Sequence, residues 1–264
     1  MLKILISDSI QIFQLILLFY FTFRMIRDGL VRRSLTAIFY VFGNAAYFVA
    51  DIYWIVHIML KEGDTPDFSA VEIGMGGVFL LYGTAMACYG GQKHVVDWKS
   101  LPVLVAIFFT AANTACWIGW NGGWFRDSIT GLAMGYMACV LASLAGGYDR
   151  YDRKKFAIAL PGCMVLMGLE AGTLVVTGTM VPVLEVLRYI LWFGGIVQFS
   201  LGIHKHVFRE KNTDYGLFYS FAGFLFCVFA TYLSANTMYQ IMSAVTTVML
   251  IPVYISVRRE AEQA

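Results

Sequence analysis

Residues 34–60 read SLTAIFYVFGNAAYFVADIYWIVHIML: 27 residues, mostly apolar, without one lysine or arginine. A helix that crosses a bilayer needs about 20 predominantly apolar residues. The run is continuous rather than alternating, which is the pattern of a spanning helix and not of a barrel strand. Its polar and amphipathic residues are ordered too. Tyr40, Asn44, Tyr47, Asp51 and Trp54 follow one another at spacings of four and three, so a helix carries all five on one face.

Working outward, nine windows pass the same test: 5–26, 34–60, 70–91, 101–120, 129–147, 156–176, 183–204, 215–234 and 239–257. The composition agrees. Of 264 residues, 59% are apolar and 14% charged, and the mean hydropathy is +0.69. A soluble domain carries about 25% charged residues, and a single aqueous core could not hide this excess. The expected fold is therefore all-α, a polytopic helical membrane bundle forming one integral domain over 1–264. The first apolar stretch is expected to stay as a span, because Arg24, Arg27, Arg32 and Arg33 follow it without a small-residue cleavage site. The connections are short and leave no room for an inserted soluble domain.

Orientation follows from the basic residues. Arg24, Arg27, Arg32, Arg33, Lys93, Lys99, Arg150, Arg153, Lys154, Lys155, Lys205, Arg209, Lys211, Arg258 and Arg259 share one side, 15 of the 19. The other side holds Lys3, Lys61 and Arg126, while Arg188 falls inside the seventh window. This bias predicts an external N-terminus and a cytoplasmic C-terminus in the plasma membrane. Trp117, Trp120 and Trp124 fit an external aromatic belt.

Ionisable groups inside a bilayer cost about 2.5–3.5 kcal/mol each at a helix centre on insertion scales, so each needs a reason. Asp51 lies in the outer half of the second span, with His57 beyond it. Glu72 opens the third span and Asn113 belongs to the outer half of the fourth. Glu170 lies in the outer third of the sixth, and Glu185 and Arg188 are in the first turns of the seventh. The cytoplasmic halves are expected to hold almost no buried charge. Asn44, Tyr47, Asp51, Trp54, His57, Glu72, Asn113, Glu170 and Arg188 are thus the candidate ligand-binding set; either they converge on an outward-facing pocket or several merely snorkel to the interface. The competing reading is a polar seam between neighbouring helices. Arg188 is expected to pair with Glu185, three residues away, or with Asp51 or Glu170 on another helix.

Two GxxxG spacings, Gly131/Gly135 and Gly168/Gly172, let helix backbones approach closely, either within the chain or across a homodimer. The five cysteines stand singly in apolar runs, and His94, His204 and His206 have no local cysteine or carboxylate cluster, so no metal and no cofactor is expected. The scattered basic residues exclude a nucleic-acid face. No nucleophile elbow, HExxH, Walker A loop or GxGxxG occurs.

Three functions remain. The first is a small-molecule or lipid sensor or binding protein acting through a separate signalling partner. The second is a small secondary transporter, although no internal repeat is visible. The third is an intramembrane lipid hydrolase in which Asp51 acts with Glu72 or Glu170 and His57 orients a water. In size and span count the chain is similar to lysoplasmalogenase-like membrane enzymes, which resemblance implies intramembrane aspartate chemistry; no motif matches them residue by residue. A pure assembly subunit is the remaining alternative, and the balance leans away from an enzyme.

Overall fold

The computed structural model describes residues 2–60, 70–89, 95–121, 123–145, 169–170, 172–173, 175, 178, 180–234 and 236–264. Within them the chain forms eight long helices: α1 (Leu2–Arg27), α2 (Leu35–Leu60), α3 (Ala70–Ala87), α4 (Leu101–Asn121), α5 (Trp124–Ala145), α6 (Met180–Ile203), α7 (Thr213–Tyr232) and α8 (Asn236–Gln263). No strand occurs among the described residues. Seven of the helices are long and apolar enough to cross a membrane, and α3 is a shorter apolar helix. The expected sixth span, 156–176, lies mostly outside the described residues.

The surface confirms the solvent. Along α1, Ile12, Ile16, Phe19, Phe23 and Ile26 are all half exposed or more, and only 22% of its spanning window is buried. Along α6 only 17% is buried. Such continuous apolar stripes have no place in water but are the normal face of a helix toward lipid. The protein is a multi-pass helical membrane bundle.

At the centre stands α7. Its sequence, TDYGLFYSFAGFLFCVFATY, is apolar on every side, and 78% of its window is buried. Its aromatic side chains reach the surrounding helices in turn. Phe221 and Phe224 meet Tyr82 of α3 edge-on, at centroid distances of 5.4 and 5.6 Å. Phe226 packs on Trp192 of α6 at 4.6 Å, and Phe229 meets Phe109 and Trp117 of α4. Around this post α2 packs on α3, α3 on α5, α4 on α5, and α8 on both α7 and α1. The last contact joins the two ends of the chain, with Phe21 and Tyr254 stacked at 4.3 Å.

One end of the bundle is closed by polar contacts. Arg258 reaches Asp28 (3.4 Å) and Glu262 (2.7 Å), and Asp28 also pairs with Arg24 (3.2 Å). Glu260 is buried and accepts hydrogen bonds from Ser34 (2.5 Å) and Thr36 (3.3 Å). Beyond α6 the residues His204–Arg209 form a π-helical turn whose His206 is buried between Tyr215 and Tyr219, with Nδ1 3.0 Å from Glu210. This end of the bundle thus holds buried ionisable groups, Glu260 and His206. Helix α8 continues past residue 257 to Gln263 and carries Glu260 into the bundle. His204 is exposed while His206 is buried, so the two do not face one site. No cluster of three potential metal ligands occurs among the described residues.

Candidate functional site

At the opposite end, seven helices leave a cavity of about 280 Å³. Small-molecule sites run from about 300 Å³ upward, so this one suits a compact ligand. Helix α2 supplies Tyr47, Asp51 and Trp54, and the N-terminal turns of α3 supply Val71, Glu72 and Met75. Gln11 and Gln14 come from α1, Trp117 from the last turns of α4, and Arg126, Asp127 and Thr130 from the start of α5. The wall is completed by Val228, Thr231 and Tyr232 of α7 with Tyr239, Ser243 and Thr246 of α8.

Its polar groups are held in place. The Gln14 amide Nε2 donates to Asp51 Oδ2 at 2.6 Å, and Gln14 Oε1 accepts from the Thr247 hydroxyl at 2.7 Å. The chain Thr247–Gln14–Asp51 therefore links α8, α1 and α2 and points the amide hydrogens at the carboxylate. Arg126 Nε donates to Asp127 Oδ1 at 3.1 Å, while the buried Asp127 Oδ2 has no hydrogen-bond partner among the described residues. The hydroxyls of Thr231 and Thr246 meet at 2.9 Å across α7 and α8.

Of the nine residues expected to bind a ligand, four stand on this wall: Tyr47, Asp51, Trp54 and Glu72. The other five lie elsewhere. Asn44 is fully buried one turn and more below, where the Tyr82 hydroxyl of α3 donates to its Oδ1. His57 stacks on Trp54 and Tyr53 at 6.3 and 6.0 Å and is not a wall residue. Asn113 turns back on its own helix, donating to the Phe109 carbonyl at 2.8 Å. Glu170 and Arg188 are both buried, and neither lines the cavity. The Arg188 guanidinium also lies 5.1 Å from the Tyr189 ring centroid. Arg188 Nη2 lies 3.4 Å from the Tyr189 hydroxyl, whereas Asp51 is served by Gln14.

The polar face of α2 splits for a simple reason. Its lower half packs on α3, where Tyr40 stacks on Tyr82 at 5.8 Å, and only its upper half looks into open space. Asn44→Ala should therefore behave as a core mutation. Leaving the buried Tyr82 hydroxyl without its acceptor is expected to cost about 1–3 kcal/mol of stability, read as a lower unfolding midpoint in detergent. Cysteine accessibility on the cavity wall should not change.

Asp127, which precedes the expected window 129–147, is in the first turn of α5, 7% exposed, and on the cavity wall. Trp117 is not part of an interfacial belt, being 2% exposed with its ring against Phe229 and Tyr232. Trp124, at 68% exposed, does suit the belt. Gly131 and Gly135 lie against Thr114 and Thr110 of α4. Gly168 lies outside the described residues. Sequence reasoning passed over Gln11, Gln14, Tyr239, Ser243 and Thr246. Their spacings of three and four inside apolar helices were a usable signal. No family model, curated protein or solved structure matches the chain, and the reading of its function rests on the chemistry of this cavity.

Proposed function

We propose that the chain is a nine-span protein with an external N-terminus and a cytoplasmic C-terminus, which binds a small molecule in a cavity open to the outside and passes that state to a separate partner. The observation that carries this reading is the convergence of seven helices on one polar, aromatic-lined cavity at one end of the bundle. The basic residues of the helix ends lie at the other, with Arg24, Arg27, Arg209, Arg258 and Arg259 among them, which favours an external cavity. The span count draws support from helix direction. Helix α5 begins at the cavity end with Arg126, and α6 must also begin there, since its far end leads through His204–Arg209 into α7. One more crossing between them agrees with the apolar window 156–176.

The closed end favours a binding protein over a carrier. Glu260, Arg258 and Arg259 tie the end of α8 to Ser34, Asp28 and the Val207 carbonyl, on three different neighbouring segments. A carrier has to expose its site to each side in turn. In a cysteine-free background, Asp51→Cys and Ser243→Cys should react with a membrane-impermeant thiol reagent added outside, and Ser220→Cys and Ser256→Cys should react from neither side. The latter pair is buried, with hydroxyls 3.0 Å apart. Labelling of Asp51→Cys in inside-out vesicles would overturn the sensor reading in favour of a transporter.

One observation favours the hydrolase as the second reading: Asp51, Glu72 and Asp127 share one wall. Glu170 and His57 have no place in that version, being off the cavity. Release of a fatty aldehyde from a lysoplasmalogen by the purified protein, lost in Asp51→Asn, would establish it.

A further inference from the structure

We infer that the ligand of this cavity is a small organic ammonium ion, a protonated amine on an apolar body; the inference rests on the reading of the cavity as an external binding site. Charge comes first. Among the described residues, Asp51, Glu72 and Asp127 line the cavity with one guanidinium, Arg126, and that group already gives its Nε to Asp127. Carboxylates gathered in a low-dielectric wall repel each other more strongly than in water, and a cation between them relieves that repulsion. An anionic ligand meets the opposite field.

The rings point the same way. Tyr47, Trp54, Trp117, Tyr232 and Tyr239 come from four different helices and surround the same space. Aromatic faces attract ammonium groups, by about 0.5–2 kcal/mol each depending on desolvation. Tyrosine and tryptophan also supply rigid apolar area for the rest of the molecule.

The hydrogen-bonding inventory narrows the class. Asp127 is 93% buried, since its residual exposure is 7%, yet among the described residues its Oδ2 accepts from none. A buried carboxylate oxygen without a donor is costly, and it stands on the wall of an open cavity. A ligand with N–H groups satisfies it, whereas a quaternary ammonium cannot. Gln14 engages only Oδ2 of Asp51 and is itself aligned by Thr247, so the pair forms a prepared acceptor rather than a closed contact. Trp117 Nε1, also buried and unpartnered on this wall, adds one donor. The fullest match is an amine that also bears a hydroxyl or carbonyl oxygen.

The test uses the purified full-length chain in detergent micelles and three probes of one shape: phenethylamine, 2-phenylethanol and 3-phenylpropanoate. Because Trp54 and Trp117 line the cavity, tryptophan fluorescence reports occupancy, and protection of Ser243→Cys from a thiol reagent locates it. Phenethylamine should bind saturably, at least about tenfold more tightly than the alcohol, as expected for a charge-assisted contact with aromatic support. The propanoate should not bind. Asp51→Asn should weaken the amine about tenfold without lowering the unfolding midpoint. Equal binding of amine and alcohol, or preference for the propanoate, would refute the amine while leaving an occupied external cavity. Binding of none of the three, with Ser243→Cys labelled from outside, would refute the amine as well. Failure of Ser243→Cys to label at all would instead remove the binding reading beneath it.

Discussion

Gly131→Ala is expected to destabilise the bundle by about 3 kcal/mol, the upper part of the usual range for overpacking a tight core. A Cβ at position 131 would lie 2.1 Å from Thr114 Oγ1 and 2.8 Å from its Cγ2, distances that atoms do not share. The threonine cannot step aside cheaply. Its hydroxyl donates to the Thr110 carbonyl at 2.8 Å, and Thr110 itself is packed on Gly135 one turn along α5. Close approach here has a use beyond packing, since the same helix start carries Arg126, Asp127 and Thr130 to the cavity. Displacing α5 should therefore also weaken binding at the site. The decisive measurement is the cycle with Thr114→Ala, followed by unfolding in a denaturing detergent titration. That change removes Oγ1 and Cγ2 and leaves the Thr114 Cβ 3.0 Å away, so Gly131→Ala/Thr114→Ala should recover most of the loss. A double variant no more stable than Gly131→Ala would show that the strain lies elsewhere.

The glycine pair illustrates how much the sequence carried. Its spacing announced a close helix contact, yet nothing in GLAMG says whether the partner is α4 of the same chain or another copy. The spans were legible for the same kind of reason. Apolar length is a local property, and each long helix described lies over an expected window, with ends shifted by a few residues as in α5 and α8. The face of α2 was legible as a face. What the periodicity could not supply was the neighbour at each depth, because Tyr82 and the open cavity meet the same stripe one after the other. Contacts far apart in sequence were the least accessible. Gln14 reads as one polar residue in an apolar helix until folding sets it between Asp51 and Thr247. Asp127 looked like a loop residue because the apolar window opens at 129, whereas the helix opens at Trp124 and turns the carboxylate inward. Glu260 was hidden by its company, a short charged stretch that resembles a solvated tail.

That residue also sets the second large effect. Ser34→Ala is expected to cost about 2–3 kcal/mol, the range for hydrogen bonds to charged partners plus part of a helix cap. Glu260 is 5% exposed and takes its shorter hydrogen bond from Ser34, at 2.5 Å against 3.3 Å from Thr36. Without Ser34 the buried carboxylate keeps the longer of these two bonds, and buried charged groups are destabilising when a partner is removed. Ser34 has a second task, because its hydroxyl accepts from the Ala37 amide at 3.3 Å where α2 begins. The two roles separate in a cycle with Glu260→Gln. Glutamine keeps an acceptor of similar shape toward Ser34 but has no charge to leave stranded, so Glu260→Gln alone should be milder than Ser34→Ala. In the Glu260→Gln background, Ser34→Ala should then cost only about 1 kcal/mol, the scale of a lost cap with a neutral hydrogen bond. If Ser34→Ala costs the same in both backgrounds, the hydroxyl serves α2 as a cap and the carboxylate is anchored by other groups. If instead the cost shrinks as expected, the contact fastens the last turn of α8 to the start of α2, across the whole length of the chain.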